Sequence, residues 1–157
     1  MEPSYAAPRS SQIVLPAAPR TQTALDCPIQ VLLVEDNPEA AWLVQASLEE
    51  PEVKQFQLEW AQTLYQGMKR LAVPGIEVVL LDLGLPESDG YRSLRAIQSA
   101  MGRKVPVVIL TSDDRFLSKD LTLGFGASDY LIKNRIFPFQ LRESLRNAIR
   151  KGRTQLQ

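Results

Sequence analysis

The sequence contains no histidine and only one cysteine, Cys27. These two absences exclude a disulfide framework, Cys/His zinc sites, and any mechanism that needs an imidazole base or a phosphohistidine within the chain. No apolar run approaches the roughly 20 residues of a membrane-spanning helix, and the N-terminus lacks the apolar core of a signal peptide. An excess of one charge is also missing. Eighteen Lys and Arg balance eighteen Asp and Glu, so no net field draws the chain onto nucleic acid or an anionic membrane. What is left is the chemistry of carboxylates, hydroxyls and amines, in a protein expected to be soluble and cytoplasmic. At 157 residues, the length predicts one compact domain with a tail.

Residues 1–28 hold five of the eleven prolines among Ala, Ser, Thr and Gln. With only Ile13 to Leu15 to bury, they read as a disordered leader, the alternative being a docking segment. From Ile29 the pattern changes. Ile29–Val34, Ile76–Leu81 and Val105–Leu110 are Leu-rich or β-branched runs of strand length, of the kind buried on both faces of a parallel sheet. Phe56–Ala61 and Ala127–Ile132 complete five strands. Between them lie helical periodicities. The first follows Asn37 as cap and Pro38, with Ala40, Leu43, Val44 and Leu48 as its inner face. Leu64–Leu71, Tyr91–Met101 and Phe116–Leu123 are the next three, the last stopped by Gly124 and Gly126. Leu141, Leu145, Ala148 and Ile149 mark the inner face of a fifth. Strict alternation predicts an α/β fold, a doubly wound five-stranded parallel sheet with five helices. The domain is expected over 29–151, with a short tail at 152–157.

In such a sheet the functional crevice lies beyond the carboxyl ends of the strands. The first strand ends in Glu35-Asp36, the third in Asp82, and the fourth in Thr111-Ser112 followed by Asp113. The fifth is followed at once by Lys133. Carboxylates gathered together repel unless a cation neutralises them, and all-oxygen donors favour Mg2+. Together these residues suit phosphoryl transfer to a carboxylate, with an ionised aspartate as nucleophile and Thr and Lys donors for the phosphoryl oxygens. Taken singly, Glu35-Asp36 also suits a helix cap and Lys133 a surface position. Nucleotide readings are weaker, because neither G-x-G-x-x-G nor G-x-x-x-x-G-K-[ST] occurs and two carboxylates at the first turn would repel a pyrophosphate.

The pieces LLVEDNPEAA, VVLLDLGLPESDGY, VPVVILTS and GASDYLIK, in this order at successive strand ends, closely resemble the CheY-like receiver domain of two-component response regulators over about Gln30 to Lys151. The resemblance implies a flavodoxin-like fold and a phosphorylation switch. It makes Asp82 the phosphoacceptor, Asp36 a direct Mg2+ ligand, Glu35 its acidic neighbour, and Gly84 the donor of a backbone carbonyl to the metal. Thr111 and Lys133 would hold the phosphoryl group, and Tyr130 would be the aromatic switch coupled to Thr111. Three departures stand out: Asn134 where proline after a cis peptide is frequent, a bare Gly84, and the added charge of Asp113.

The partners implied are a sensor histidine kinase or a histidine phosphotransfer protein, since this chain cannot supply the histidine, and a downstream protein target. The chain is expected to be a monomer or weak dimer and not a conventional enzyme. Two other readings remain open. One is a receiver-like interaction module that works without phosphorylation. The other is a haloacid-dehalogenase-like phosphatase, which needs a second aspartate two residues after the nucleophile, where this chain has Gly84. With eight residues after Ile149, no DNA-binding domain is expected to follow. Arg142, Arg146, Arg150 and Arg153 form a stripe that is either a solvated face or a docking surface for an acidic partner. Trp42, on the outer side of the first helix, is a candidate contact for the phosphodonor.

Overall fold

The computed structural model describes residues 27–49, 55–101, 105–112 and 119–155. The strands are β1 (Ile29–Val34), β2 (Phe56–Ala61), β3 (Val78–Leu81), β4 (Val107–Thr111) and β5 (Asp129–Ile132). The helices are α1 (Pro38–Leu48), α2 (Leu64–Leu71), α3 (Gly90–Ala100), α4 (Lys119–Gly124) and α5 (Pro138–Thr154). All strand pairs are parallel, in the order β2-β1-β3-β4-β5. The doubly wound sheet is therefore as expected. Because chain order reverses between β1 and β3, their carboxyl ends open the crevice that this topology reserves for function.

The strands alternate buried residues between two apolar layers. Val31, Leu33, Leu80 and Leu110 meet α1 and α5 on one face. Leu32, Val34, Leu81 and Ile109 meet α2 and α3 on the other. Side-chain caps start three of the helices: Asn37 Oδ1 accepts from the Glu39 and Ala40 N–H groups, Thr63 from Gln66, and Asp89 from Arg92. Gly67 lets α2 lie against β1, since a Cβ there would come within 2.8 Å of Val34 Cγ2.

Several expectations shift. The inner face of α1 is Ala41, Val44 and Leu48, and Leu43 is exposed. β3, β4 and β5 begin two residues later than the apolar runs suggest. α4 is described from Lys119, so Phe116 to Ser118 lie outside the described residues, as do Asp113 and residues 1–26. Gly124 ends α4 from within it, and the reversal is made at Gly126, with φ +95°. α5 runs on to Thr154, beyond the expected boundary at Lys151. The arginine stripe is largely engaged. Arg142 donates to the Ser47 carbonyl at 2.8 Å, and Arg146 bonds Gln55 and stacks over Phe56. They strap α5 to α1 and to β2.

A bidentate pair joins β2 to α2, with Arg70 Nε 2.5 Å from Glu59 Oε2 and Nη2 2.9 Å from Oε1. The Arg70 hydrogen bond holds the Glu59 carboxyl below its ordinary value, outweighing partial burial. The folded value thus lies below the unfolded one, so the pair stabilises the fold above about pH 4.3 and loses that contribution as the pH falls through the lower folded value. With Glu59 about a third exposed, the contribution is about 1 kcal/mol or less. Glu59→Gln should therefore lower the melting temperature slightly at pH 7, and the gap to wild type should close in melts below the folded value. A gap that persists in acid would assign the effect to packing.

Candidate functional site

The register builds the site. Val34 pairs with Leu81, and the Asp82 N–H donates to the Val34 carbonyl at 3.0 Å. Glu35 and Asp82 therefore leave the sheet level with one another. Asp36 follows at the start of the turn into α1. One carboxylate oxygen from each of Glu35, Asp36 and Asp82 falls within a common 4.8 Å. Glu35 and Asp82 are buried and Asp36 is exposed, so the cluster opens to solvent on the Asp36 side.

Lys133 enters from the far side of the sheet. It opens a short 3-10 turn, Lys133–Arg135, directly after β5. No described peptide bond is cis, so Asn134 is accommodated in the trans form. The Lys133 ammonium bonds Glu35 Oε2 and lies 3.4 Å from Asp82 Oδ2. Burial pushes the Glu35 carboxyl above its ordinary value, and the hydrogen bonds from Lys133 and from the Asn37 N–H only partly offset it. Asp82 Oδ1 accepts the Gly84 N–H at 3.0 Å. A Cβ at Gly84 would stand 3.5 Å from both Asp82 oxygens, so the bare glycine leaves that approach open.

Thr111 ends β4 and is buried. Ile109 pairs with Tyr130 and Thr111 with Ile132, which puts Thr111 and Tyr130 on the same face of adjacent strands, one pleat apart. The Tyr130 ring is buried among the residues facing α2 and α3, and so occupies the inward position. Trp42 is exposed on α1, as expected. Sequence reasoning missed Trp60. Its indole Nε1–H donates to the Glu35 carbonyl at 2.7 Å. The only signal for it was a tryptophan next to the end of the strand that flanks Glu35.

Among the described residues, three carboxylates share the Lys133 ammonium, which leaves an excess of negative charge in a partly buried cleft and is costly without a further cation. Every donor is oxygen, and the exposed Asp36 side leaves room for water. This is a fit for a hard divalent ion such as Mg2+.

Comparison with known proteins agrees with this geometry. A family model described as the response regulator receiver domain matches residues 31–149. The swarming motility regulation protein RssB of Serratia marcescens is 36% identical over 115 residues, covering 73% of this chain and 49% of that protein. The KDP operon transcriptional regulatory protein KdpE of Escherichia coli K12 is 33% identical over 124 residues, covering 77% of this chain and 51% of that protein. The chain thus spans about half the length of these regulators. Among solved structures, the receiver domain of a sensor histidine kinase from Pseudomonas aeruginosa PAO1, with a magnesium ion coordinated in its active-site cleft, aligns with a TM-score of 0.65 at 27% identity, over 78% of this chain and 98% of that one. A CheY-like receiver domain from Methylobacillus flagellatus aligns at 0.63 and 22% identity over 78% and 99% of the two chains, a likeness of fold. With the sheet order, the strand-end carboxylates and the match over residues 31–149 in agreement, the chain belongs to the response regulator receiver domain family.

Proposed function

We propose that the chain is a cytoplasmic phosphorylation switch that accepts a phosphoryl group on Asp82 from a phosphohistidine of a sensor histidine kinase or phosphotransfer protein. The observation that carries this is the triad of carboxylates with Lys133 across it. The Asp82 carboxylate faces into the cleft, and a carboxylate oxygen attacks phosphorus without the help of a base. Its oxygen forms the new bond to phosphorus as the bond to the donor imidazole breaks, and the imidazole nitrogen keeps the electron pair. Lys133, already near Asp82, pairs with the incoming oxygens, and the Thr111 hydroxyl donates to another. Mg2+ on Glu35, Asp36, Asp82 and the Gly84 carbonyl would screen the two anions from each other. Turnover of the haloacid-dehalogenase type is disfavoured, since Gly84 offers no proton to a leaving group.

Output follows from the same contacts. A dianionic group beside Lys133 offers Thr111 an acceptor and draws the end of β4 inward. The Tyr130 ring, one pleat away and already inward, is then held there by the displaced end of β4. It lines a groove of about 560 Å³ between β5 and α5, with Arg135, Phe139 and Glu143 on its walls. A partner that binds only one shape of this groove shifts the population by its differential affinity.

Acetyl phosphate with Mg2+ should add one phosphoryl group to the wild type by intact mass, and none when the metal is chelated. Hydrogen exchange with beryllofluoride, a phosphoryl mimic, should change protection mainly over residues 111 to 135. An unmodified wild type would favour the phosphorylation-independent module. Changes confined to α1 near Trp42 would move the output surface to the other side of the molecule.

A further inference from the structure

We propose that Trp60 is a positioning residue of the phosphoacceptor site, holding the Glu35–Asp36 peptide through its indole N–H. The proposal rests on the metal and phosphoryl reading above. β2 is the edge strand of the sheet, and it ends at Ala61. Up to that point the ladder fixes β1, and the Glu35 N–H still donates to the Ala61 carbonyl at 3.0 Å. The parallel ladder, if continued, would bring the Thr63 N–H to the Glu35 carbonyl, but β2 ends at Ala61 and the chain turns away, with the Gln62 N–H bonded to Gln66 Oε1 at 2.8 Å. The Glu35 carbonyl thus lies just past the end of the ladder. The Trp60 indole reaches forward from the strand and donates to it at 2.7 Å. A side chain has taken over where backbone donors run out.

This bond lies in the peptide that carries Asp36. Rotation about that peptide swings the Asp36 carboxylate, which has no buried packing of its own, relative to Glu35 and Asp82. The Glu35 side chain is fixed independently by Lys133 and by the Asn37 N–H at 3.1 Å. The indole therefore matters most for the angle between the two neighbouring carboxylates, which is what a shared cation reads. The ring is partly exposed, so water can replace the lost donor, and the expected cost is moderate and not a collapse of the fold.

The test uses the full chain as wild type, as Trp60→Phe, and with 3-benzothienylalanine at position 60, which keeps the shape of the indole but lacks its N–H. Without metal, proton NMR should show the Trp60 indole N–H of the wild type exchanging more slowly than that of exposed Trp42. In both variants the Mg2+ concentration at half-saturation should rise about three- to tenfold, the range a single hydrogen bond supports. Acetyl phosphate labelling should slow by a similar factor at subsaturating Mg2+ and recover at saturation, while metal-free melting temperatures stay close to wild type. Unchanged half-saturation in folded variants would overturn the proposal. So would a lower metal-free melting temperature with the Mg2+ response intact, which is the result of a purely structural strap. A wild type that neither binds Mg2+ nor takes a phosphoryl group would overturn the functional reading itself, and the proposal with it.

Discussion

Asp82→Ala should abolish labelling by acetyl phosphate under conditions that add one phosphoryl group to the wild type, and should do so without unfolding the domain. Among the described carboxylates at the site, Asp82 is the one with Lys133 3.4 Å away, the Gly84 N–H on its other oxygen and bare space above Gly84. Glu35 is tied to Lys133 and to Asn37, and Asp36 is exposed. Neither is placed to take over as nucleophile. Removing Asp82 also removes one of two buried like charges, so the Glu35–Lys133 pair remains and metal-free stability should be equal to or above that of wild type. Intact mass and a thermal melt read the two halves of the prediction. A labelled Asp82→Ala chain would place the nucleophile elsewhere. A chain that is unlabelled but strongly destabilised would show Asp82 to be part of the frame.

The parts of this site that were legible in the sequence are those announced by side chains at strand ends. Glu35, Asp82, Thr111 and Lys133 each follow an apolar run directly, with Asp36 next after Glu35, and a parallel sheet brings such positions to one edge whatever the details of packing. The limits of β2 and α2 were legible as well, because the periodicity changes sharply between Ala61 and Leu64. Features set by long-range packing were not. In α1, Leu43 and Val44 are both apolar, and it takes the packing of α1 on the sheet and on α5, with Arg142 reaching the Ser47 carbonyl, to leave Leu43 outside. β4 loses its first residues because pairing, and not hydrophobicity, defines a strand: the Pro106 carbonyl accepts from Val79, but its nitrogen has nothing to donate. The arginine stripe on α5 reads as a solvated face until its acceptors, some 90 residues away in sequence, are in place. Trp60 is the same case at the site itself. Its acceptor is a backbone carbonyl, and no motif of side chains marks a backbone carbonyl.

Lys133→Met should be the most destabilising single change at this site in the absence of metal. The ammonium is the cation seen at the buried cluster, bonded to Glu35 and close to Asp82, and Glu35 is 1% exposed. Methionine matches much of the lysine stem, so packing is nearly kept and the loss is electrostatic. Among the described residues, two carboxylates are then left facing each other without a counter-ion. Breaking a buried pair on one side costs about 3–5 kcal/mol, a large share of the stability of a domain this size. Added Mg2+ should recover much of that loss, since it binds the native cluster and raises stability by mass action. The more negative cluster should also reach half-saturation at a lower Mg2+ concentration than wild type. Labelling by acetyl phosphate should nevertheless slow, because the metal replaces the charge of Lys133 but not its hydrogen bonds to the incoming oxygens. Melts with chelator and across a Mg2+ titration, paired with labelling rates at saturating Mg2+, separate these roles. If Lys133→Met melts with wild type in chelator, the Lys133 ammonium does not neutralise the cluster. If it labels at the wild-type rate once saturated with Mg2+, Lys133 has no part in phosphoryl transfer.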